Sequence, residues 1–166
     1  VKKILLLLGA LLVAGVQAGE LKPYSGAPLP DFTLSDMGGA SHTLGHYRGQ
    51  VVMVNFWATY CGPCIREIPS MQRLRERLAD KPFEILAIDM AEERANVAAF
   101  LQHHRIAVNF PILLDTEGTV LEQWMVSAVP TTFIIDPEGE IRYALHGGLE
   151  WDSDEVIDTI NGLLQP

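Results

Sequence analysis

The apolar residues of this chain change their spacing from segment to segment, and the spacing predicts the elements. Val51 to Trp57 (VVMVNFW) and Phe83 to Asp89 (FEILAID) are near-continuous runs of β-branched, aliphatic and aromatic residues. Such runs mark strands covered on both faces. Between them Ile65, Ile68, Met71, Leu74 and Leu78 recur every three or four residues, the stripe of an amphipathic helix. A second helix is predicted over Glu92–Gln102, a short strand over Ile112–Leu114, and a further helical stretch through Trp124. Thr131–Ile135 and Glu140–Leu145 flank Asp136-Pro137-Glu138-Gly139, a turn that pairs two strands. The last helix is predicted from Ser153 to Leu164, with Asp152, Asp154 and Glu155 beside its positive end.

Upstream of these elements Phe32 and Leu34 alternate with polar neighbours. The Gly38-Gly39 turn before His42-Thr43-Leu44 then predicts a small N-terminal hairpin. Glu20 to Pro30 carries Pro23, Pro28 and Pro30 and reads as an extended leader. The order of hairpin, strand, helix, strand, helix, strand, helix, strand, strand, helix gives an α/β fold, a central sheet with helices on both faces. The expected organisation is a segment 1–18, a leader 19–30 and one domain 31–166, without an internal repeat.

Segment 1–18 has its own logic. Lys2 and Lys3 precede an apolar run from Ile4 to Val16, and Val16-Gln17-Ala18 forms a small-residue junction. These are the parts of a signal peptide cleaved after Ala18. At about 1.5 Å per residue the run reaches roughly 20 Å, short of the roughly 30 Å hydrocarbon core, so no stable membrane span is expected once the signal is removed. The expected location is periplasmic or otherwise extracytoplasmic, where disulfides persist.

Charge and cysteine content narrow the chemistry. Twelve basic against 21 acidic residues leave a formal net charge of −9, and no basic cluster offers a face for nucleic acid. The two cysteines, Cys61 and Cys64, stand too close together to staple a fold, so their role is chemical. Cys61 falls where a buried strand ends and a helix begins. Unpaired N–H groups and the helix dipole there favour a thiolate. Gly62 leaves the approach open, and Pro63 suits a first helical turn, where its missing N–H costs nothing. Cys64, one turn deeper, is placed to attack the Cys61 sulfur. The roles expected are nucleophile for Cys61 and resolving thiol for Cys64. Zinc would want four ligands, and the scattered His42, His46, His103, His104 and His146 read as surface or packing residues, so no metal and no organic cofactor is expected.

Phe56-Trp57-Ala58-Thr59-Tyr60-Cys61-Gly62-Pro63-Cys64 resembles the active-site segment of thioredoxins. The longer pattern, from Ala27-Pro28-Leu29-Pro30-Asp31-Phe32 to Val129-Pro130-Thr131-Thr132-Phe133-Ile134-Ile135-Asp136, resembles the exported TlpA/ResA branch of thioredoxin-like proteins and covers nearly all of the chain after Ala18. The resemblance implies a thioredoxin fold with a central mixed β-sheet, and thiol–disulfide exchange. It implies a cis Val129–Pro130 bond beside the cysteines, with Trp57, Tyr60, Gly62, Pro63, Val129 and Pro130 meeting the partner. Pro69 matches the proline that kinks the family helix, by removing an N–H and crowding the preceding turn. Cytosolic thioredoxins carry an aspartate where this chain has Asn55, which cannot take up a proton. Glu67, on the same helical face as Cys64 and matched by a glutamate in the ResA-like branch, is the proton acceptor expected for Cys64, the alternative being an acid that only complements the helix dipole. Tyr60 stands where many relatives carry tryptophan.

The activity expected from these readings is reduction of disulfides in exported client proteins, in cytochrome c maturation or copper-oxidase assembly, with a membrane thiol carrier as electron donor. Gly62-Pro63 is the dipeptide of reducing thioredoxins. Alternatives of the same fold are a thiol peroxidase and a Cu(I)-binding chaperone. The first wants Pro-x-x-x-Thr-x-x-Cys, whereas Thr59 stands two residues before Cys61 and Asn55 takes the proline position. The second offers two soft thiolates but no third ligand. A docking module with an incidental dithiol is a further alternative.

Overall fold

A computed structural model describes residues 20–165; the expected signal peptide, residues 1–18, lies outside them. The strands are β1 (Lys22–Pro23), β2 (Thr33–Asp36), β3 (Ser41–Thr43), β4 (Val51–Trp57), β5 (Phe83–Met90), β6 (Ile112–Asp115), β7 (Thr131–Ile135) and β8 (Ile141–His146). The helices are α1 (Gly62–Arg77), α2 (Arg94–His103), α3 (Thr119–Gln123) and α4 (Asp154–Leu163), with a 3-10 turn at Leu44–Tyr47. The strands form one mixed sheet in the order β1-β8-β7-β4-β5-β6-β2-β3. β4 runs parallel to β5 and antiparallel to β7, and β5 runs parallel to β6.

The run VVMVNFW dictates where β4 sits. All of its residues are buried, so it has to be covered from above and below. Alternation along the strand then sorts two cores. Val51, Met53 and Trp57 face Ile68, Met71 and Leu74 of α1 and Val156 and Ile160 of α4. Val52, Val54 and Phe56 face Val120 of α3, Trp124 and Phe133. That second face is closed by chain from outside the central units: Phe32 is buried in it, with Tyr24, Leu29, Leu44 and Tyr47 packed alongside. The proline-rich stretch thus lies against the sheet, and its β1 pairs with β8.

β2 and β3 pair antiparallel around Gly39, whose φ of +89° suits glycine, and the Asp36 carboxylate takes the Gly38 and Ala40 N–H groups at 2.8 and 2.9 Å. β2 also pairs with β6, which joins the hairpin to the sheet edge. α2 starts at Arg94, two residues later than the apolar spacing predicts. Ala91 adopts φ +58°, and Glu92 spends its carboxylate on Thr59 instead of on a helix start. Among the described residues no helix is long and apolar enough to cross a membrane.

Candidate active site

The site is built on the junction of β4 and α1. Cys61 N–H donates to Ala58 O at 3.1 Å, closing a turn over residues 58–61, and Cys61 is the N-cap of α1. Its Sγ accepts the Cys64 N–H at 3.2 Å, so the sulfur caps one of the helix's unpaired donors. Pro63 sits in the first turn of α1, and Pro69 lies inside the helix. Cys61 and Cys64 are joined by a disulfide, so the molecule is in its oxidised form. Cys61 is 7% exposed and Cys64 1%, so an approaching sulfur meets Cys61 first.

Exposure separates the residues expected to meet a partner. Tyr60 is 69% exposed, and Gly62 and Pro63 are also open. Trp57 is corrected by the structure: it is 2% exposed and packs against Phe100, ring centroids 6.3 Å apart, so it supports the turn from below and offers a partner no surface. The Val129–Pro130 bond is cis. The antiparallel register Phe56↔Thr131 brings this loop to the end of the sheet from which the cysteine turn departs. Pro130 is itself buried and Val129 half-buried, whereas Ser127 and Ala128, which the sequence did not single out, are exposed beside them. The Thr131 hydroxyl donates to Ala128 O at 2.8 Å and the Gly147 N–H donates to Pro130 O at 2.8 Å, tying the loop down.

Glu67 is 3% exposed, and its carboxylate is fully engaged. Oε1 accepts from Asn55 Nδ2 at 2.9 Å; Oε2 accepts from the Trp151 indole N–H at 2.9 Å and the Leu149 N–H at 3.3 Å. Asn55 also bonds Thr132 Oγ1 at 2.9 Å. Burial pushes the Glu67 pKa up, against the opposing pull of these donors. Gly148 lies in the same loop as Leu149, and a Cβ there would stand 3.6 Å from Glu67 Oε2. A residue read on the sequence as a helix-face acid is therefore the hub of a buried network linking β4, α1, β7 and the 147–151 loop. Trp151 and Thr132 were invisible to sequence reasoning. The one available signal was that a buried indole N–H needs an acceptor.

A pair of acids, Asp89 and Glu92, lies behind Thr59. Glu92 Oε1 accepts the Thr59 N–H and Oε2 the Thr59 hydroxyl, both at 2.7 Å. Asp89, fully buried at the end of β5, accepts the Glu92 N–H at 3.2 Å. Burial and then the Glu92 charge push its pKa up to about 8. Among the described residues no three His, Cys, Asp or Glu side chains converge as a metal site requires.

Comparison with known proteins agrees with this arrangement. Residues 25–144 match the AhpC/TSA family. The thiol-disulfide oxidoreductase ResA of Geobacillus thermodenitrificans is 41% identical over 122 residues, 74% of this chain and 69% of that one. ResA of Bacillus subtilis is 33% identical over 159 residues, 96% of this chain and 86% of that one. Among solved structures, a Chlorobium tepidum protein assigned as thiol:disulfide interchange protein DsbE superposes with a TM-score of 0.76 at 27% identity, over 88% of this chain and all of that one. StoA of Bacillus subtilis, 22% identical with a TM-score of 0.64 over 75% of this chain and 92% of that one, shares the fold. A disulfide at the mouth of α1, a cis-proline loop at the same end of the sheet and relatives of this identity together place the chain in the AhpC/TSA family, as a ResA-type thiol:disulfide oxidoreductase with a thioredoxin-like fold.

Proposed function

We propose that the protein is exported and reduces disulfides in exported client proteins. Residues 1–18 serve as the signal peptide, 19–30 as a leader and 31–166 as the working domain, acting in the periplasm or its extracytoplasmic equivalent. In the reduced protein the Cys61 thiolate attacks one sulfur of a client disulfide. The Cys61–client S–S bond forms, the client S–S bond breaks, and one client sulfur leaves as thiolate. Cys64 then gives its proton to Glu67 and attacks Cys61 Sγ. The second client thiol is released, and the Cys61–Cys64 bond closes with two electrons passed to the client.

The observation that carries the reading is the difference between the two sulfurs. Cys61 caps the helix and is the more open, whereas Cys64 is sealed one turn inside. Donors at a helix start stabilise a thiolate on the first sulfur, and burial keeps the second protonated until a base takes its proton. Glu67 suits that base because burial raises its pKa toward that of a thiol. Tyr60, Gly62, Pro63, Val129 and Pro130 shape the surface against which the client strand lies. Trp57 acts from beneath.

In an oxidising compartment the dithiol needs a donor, and a membrane thiol reductase supplies it. The branch resemblance directs the proposal to apocytochrome c awaiting haem attachment or a copper-assembly protein of a respiratory oxidase. Insulin reduction with a chemical reductant tests the chemistry: Cys61→Ser is expected to lose the activity, and a retained wild-type rate overturns the assignment. A Cys64→Ser trap, recovered from the native envelope and read by mass spectrometry, is expected to hold an exported client through Cys61. Recovery of cytosolic proteins alone overturns the proposed location.

A further inference from the structure

The Cys61 turn is held from outside its own elements, by a pair of acids that the exchange steps do not use. Glu92 leaves the end of β5 and grips Thr59 twice, through the amide N–H and the hydroxyl. Thr59 lies inside the turn that the Cys61 N–H closes onto Ala58 O, so these bonds orient the segment carrying Cys61 Sγ. Because the Thr59 N–H can only donate, Glu92 Oε1 must be an acceptor, and both of its oxygens are engaged as a carboxylate's would be.

Asp89 stands directly behind. It is fully buried; Oδ1 takes the Glu92 N–H, and Oδ2 has no partner among the described residues. A buried carboxylate oxygen without a donor, next to a second carboxylate, is a costly arrangement, and a single proton resolves it. The neutral acid removes the second charge and turns an orphaned acceptor into a group that can donate. Among the described residues Glu92 is the charge that acts on Asp89. Its register partners are Trp57 on β4 and Leu114 on β6, neither of which titrates. By strand alternation Asp115 of β6 points to the opposite face. Arg94 at the start of α2 is drawn off to the Asp36 and Met37 carbonyls, and Cys61 and Cys64 are bonded to each other. Glu93, the α2 N-cap, is exposed.

We propose that Asp89 and Glu92 share one proton, held on Asp89, and act together as positioning residues that fix the Cys61 turn through Thr59. The inference rests on Cys61 being the attacked and attacking sulfur, as proposed above. The ionised member does the gripping. The protonated member keeps a second charge from forming beside it, which would push Glu92 away from Thr59. Raising the pH until Asp89 ionises releases the grip.

Two measurements on the full oxidised chain test this, and neither depends on cysteine titration. Carboxyl carbon NMR is expected to find Asp89 protonated at pH 6 and titrating above it. In Glu92→Gln the Asp89 midpoint is expected to fall by about one pH unit or more, because the neighbouring charge is gone. The Thr59 amide resonance is expected to move with the Asp89 titration in the wild type and to stay put in Asp89→Asn, which keeps the shape of the neutral acid. Asp89 ionised below pH 5, or an Asp89 midpoint unchanged in Glu92→Gln, overturns the shared proton.

The kinetic arm is reduction of the Cys61–Cys64 bond by a small thiol. Thr59→Val is expected to slow it by about tenfold, the scale of losing hydrogen bonds to a charged group, while Thr59→Ser, which keeps the hydroxyl, stays within about twofold of wild type. Equal rates for Thr59→Val and Thr59→Ser overturn the positioning role. A wild-type rate of insulin reduction in Cys61→Ser would instead bring down the exchange mechanism, so the two failures are distinct.

Discussion

The two faces of the sheet are built from the same strands and have different chemistry. Toward α3 the core is largely aromatic and aliphatic, with Asp115 buried at its edge and accepting the Leu121 N–H at 2.8 Å. Trp124 stands 5.7 Å from Phe56 and 5.3 Å from Phe133 between ring centroids, and Phe32 and Tyr24 complete the cluster. Toward α1, Asn55, Asp89 and Thr132 of the central strands and Glu67 and Ser70 of α1 itself are buried among the aliphatic residues. Strand alternation alone separates them: Phe56 serves one face, and its neighbours Asn55 and Trp57 the other. Buried polar groups cost stability unless they are bonded, and on the cysteine side Asn55, Glu67, Thr132 and Trp151 are bonded to one another in a single network.

Substitutions on each face sharpen or break this contrast. The largest effect on stability is expected on the α3 side, where Phe56→Ala should cost about 3–5 kcal/mol in urea denaturation. The alkylation rate of reduced Cys61 in the folded protein should hold at its wild-type value, and a changed rate would mean that the faces are not independent. Next comes Glu67→Leu, which strands the Trp151 indole N–H, Asn55 Nδ2 and the Leu149 N–H in a buried site. A loss of about 2–3 kcal/mol is expected, with Glu67→Gln losing less because one acceptor oxygen survives.

The pH dependence follows from the same burial. The Glu67 pKa is raised in the folded state, so the native protein holds this proton more tightly than the unfolded chain. Its contribution is therefore most favourable at low pH and declines as pH rises through the folded-state pKa. Asp89, raised to about 8, extends the decline toward that pH. Glu67→Gln and Asp89→Asn should each flatten a urea-midpoint profile, Asp89→Asn up to about pH 8; a steeper profile in either variant would refute the assignment. Trp151→Phe removes one bond to Glu67 and should cost about 1.5 kcal/mol by the same measurement. The smallest effect is expected from Arg75→Ala, which breaks the half-buried pair with Glu84 at 3.1 Å. A loss of about 0.5 kcal/mol, weaker at high salt, is the expectation.

The elements were legible to the extent that one periodicity governed them. β4 and α1 follow from an apolar run and an apolar stripe, and the cysteine turn follows from where the two meet. The start of α2 was not legible, because Glu92 is occupied by a residue far behind it in the chain. Trp57 was misjudged for a related reason. An aromatic residue beside a reactive turn reads as contact surface, but being last in a strand buried on both faces puts it underneath. Glu67 was picked out by the resemblance together with its helical spacing from Cys64, yet neither could distinguish an acid facing solvent from one held by Asn55, Trp151 and Leu149.

The amino-acid order by itself determined the strand–turn–helix that carries Cys61 and Cys64, since local periodicity, a capping position and a first-turn proline act within a few residues of one another. Only the tertiary structure decided the state of the acids around that turn. The Glu67 pKa depends on burial and on donors 12, 82 and 84 positions away, and that of Asp89 on burial and the Glu92 charge; burial of that kind exists only once the sheet and its helices have packed.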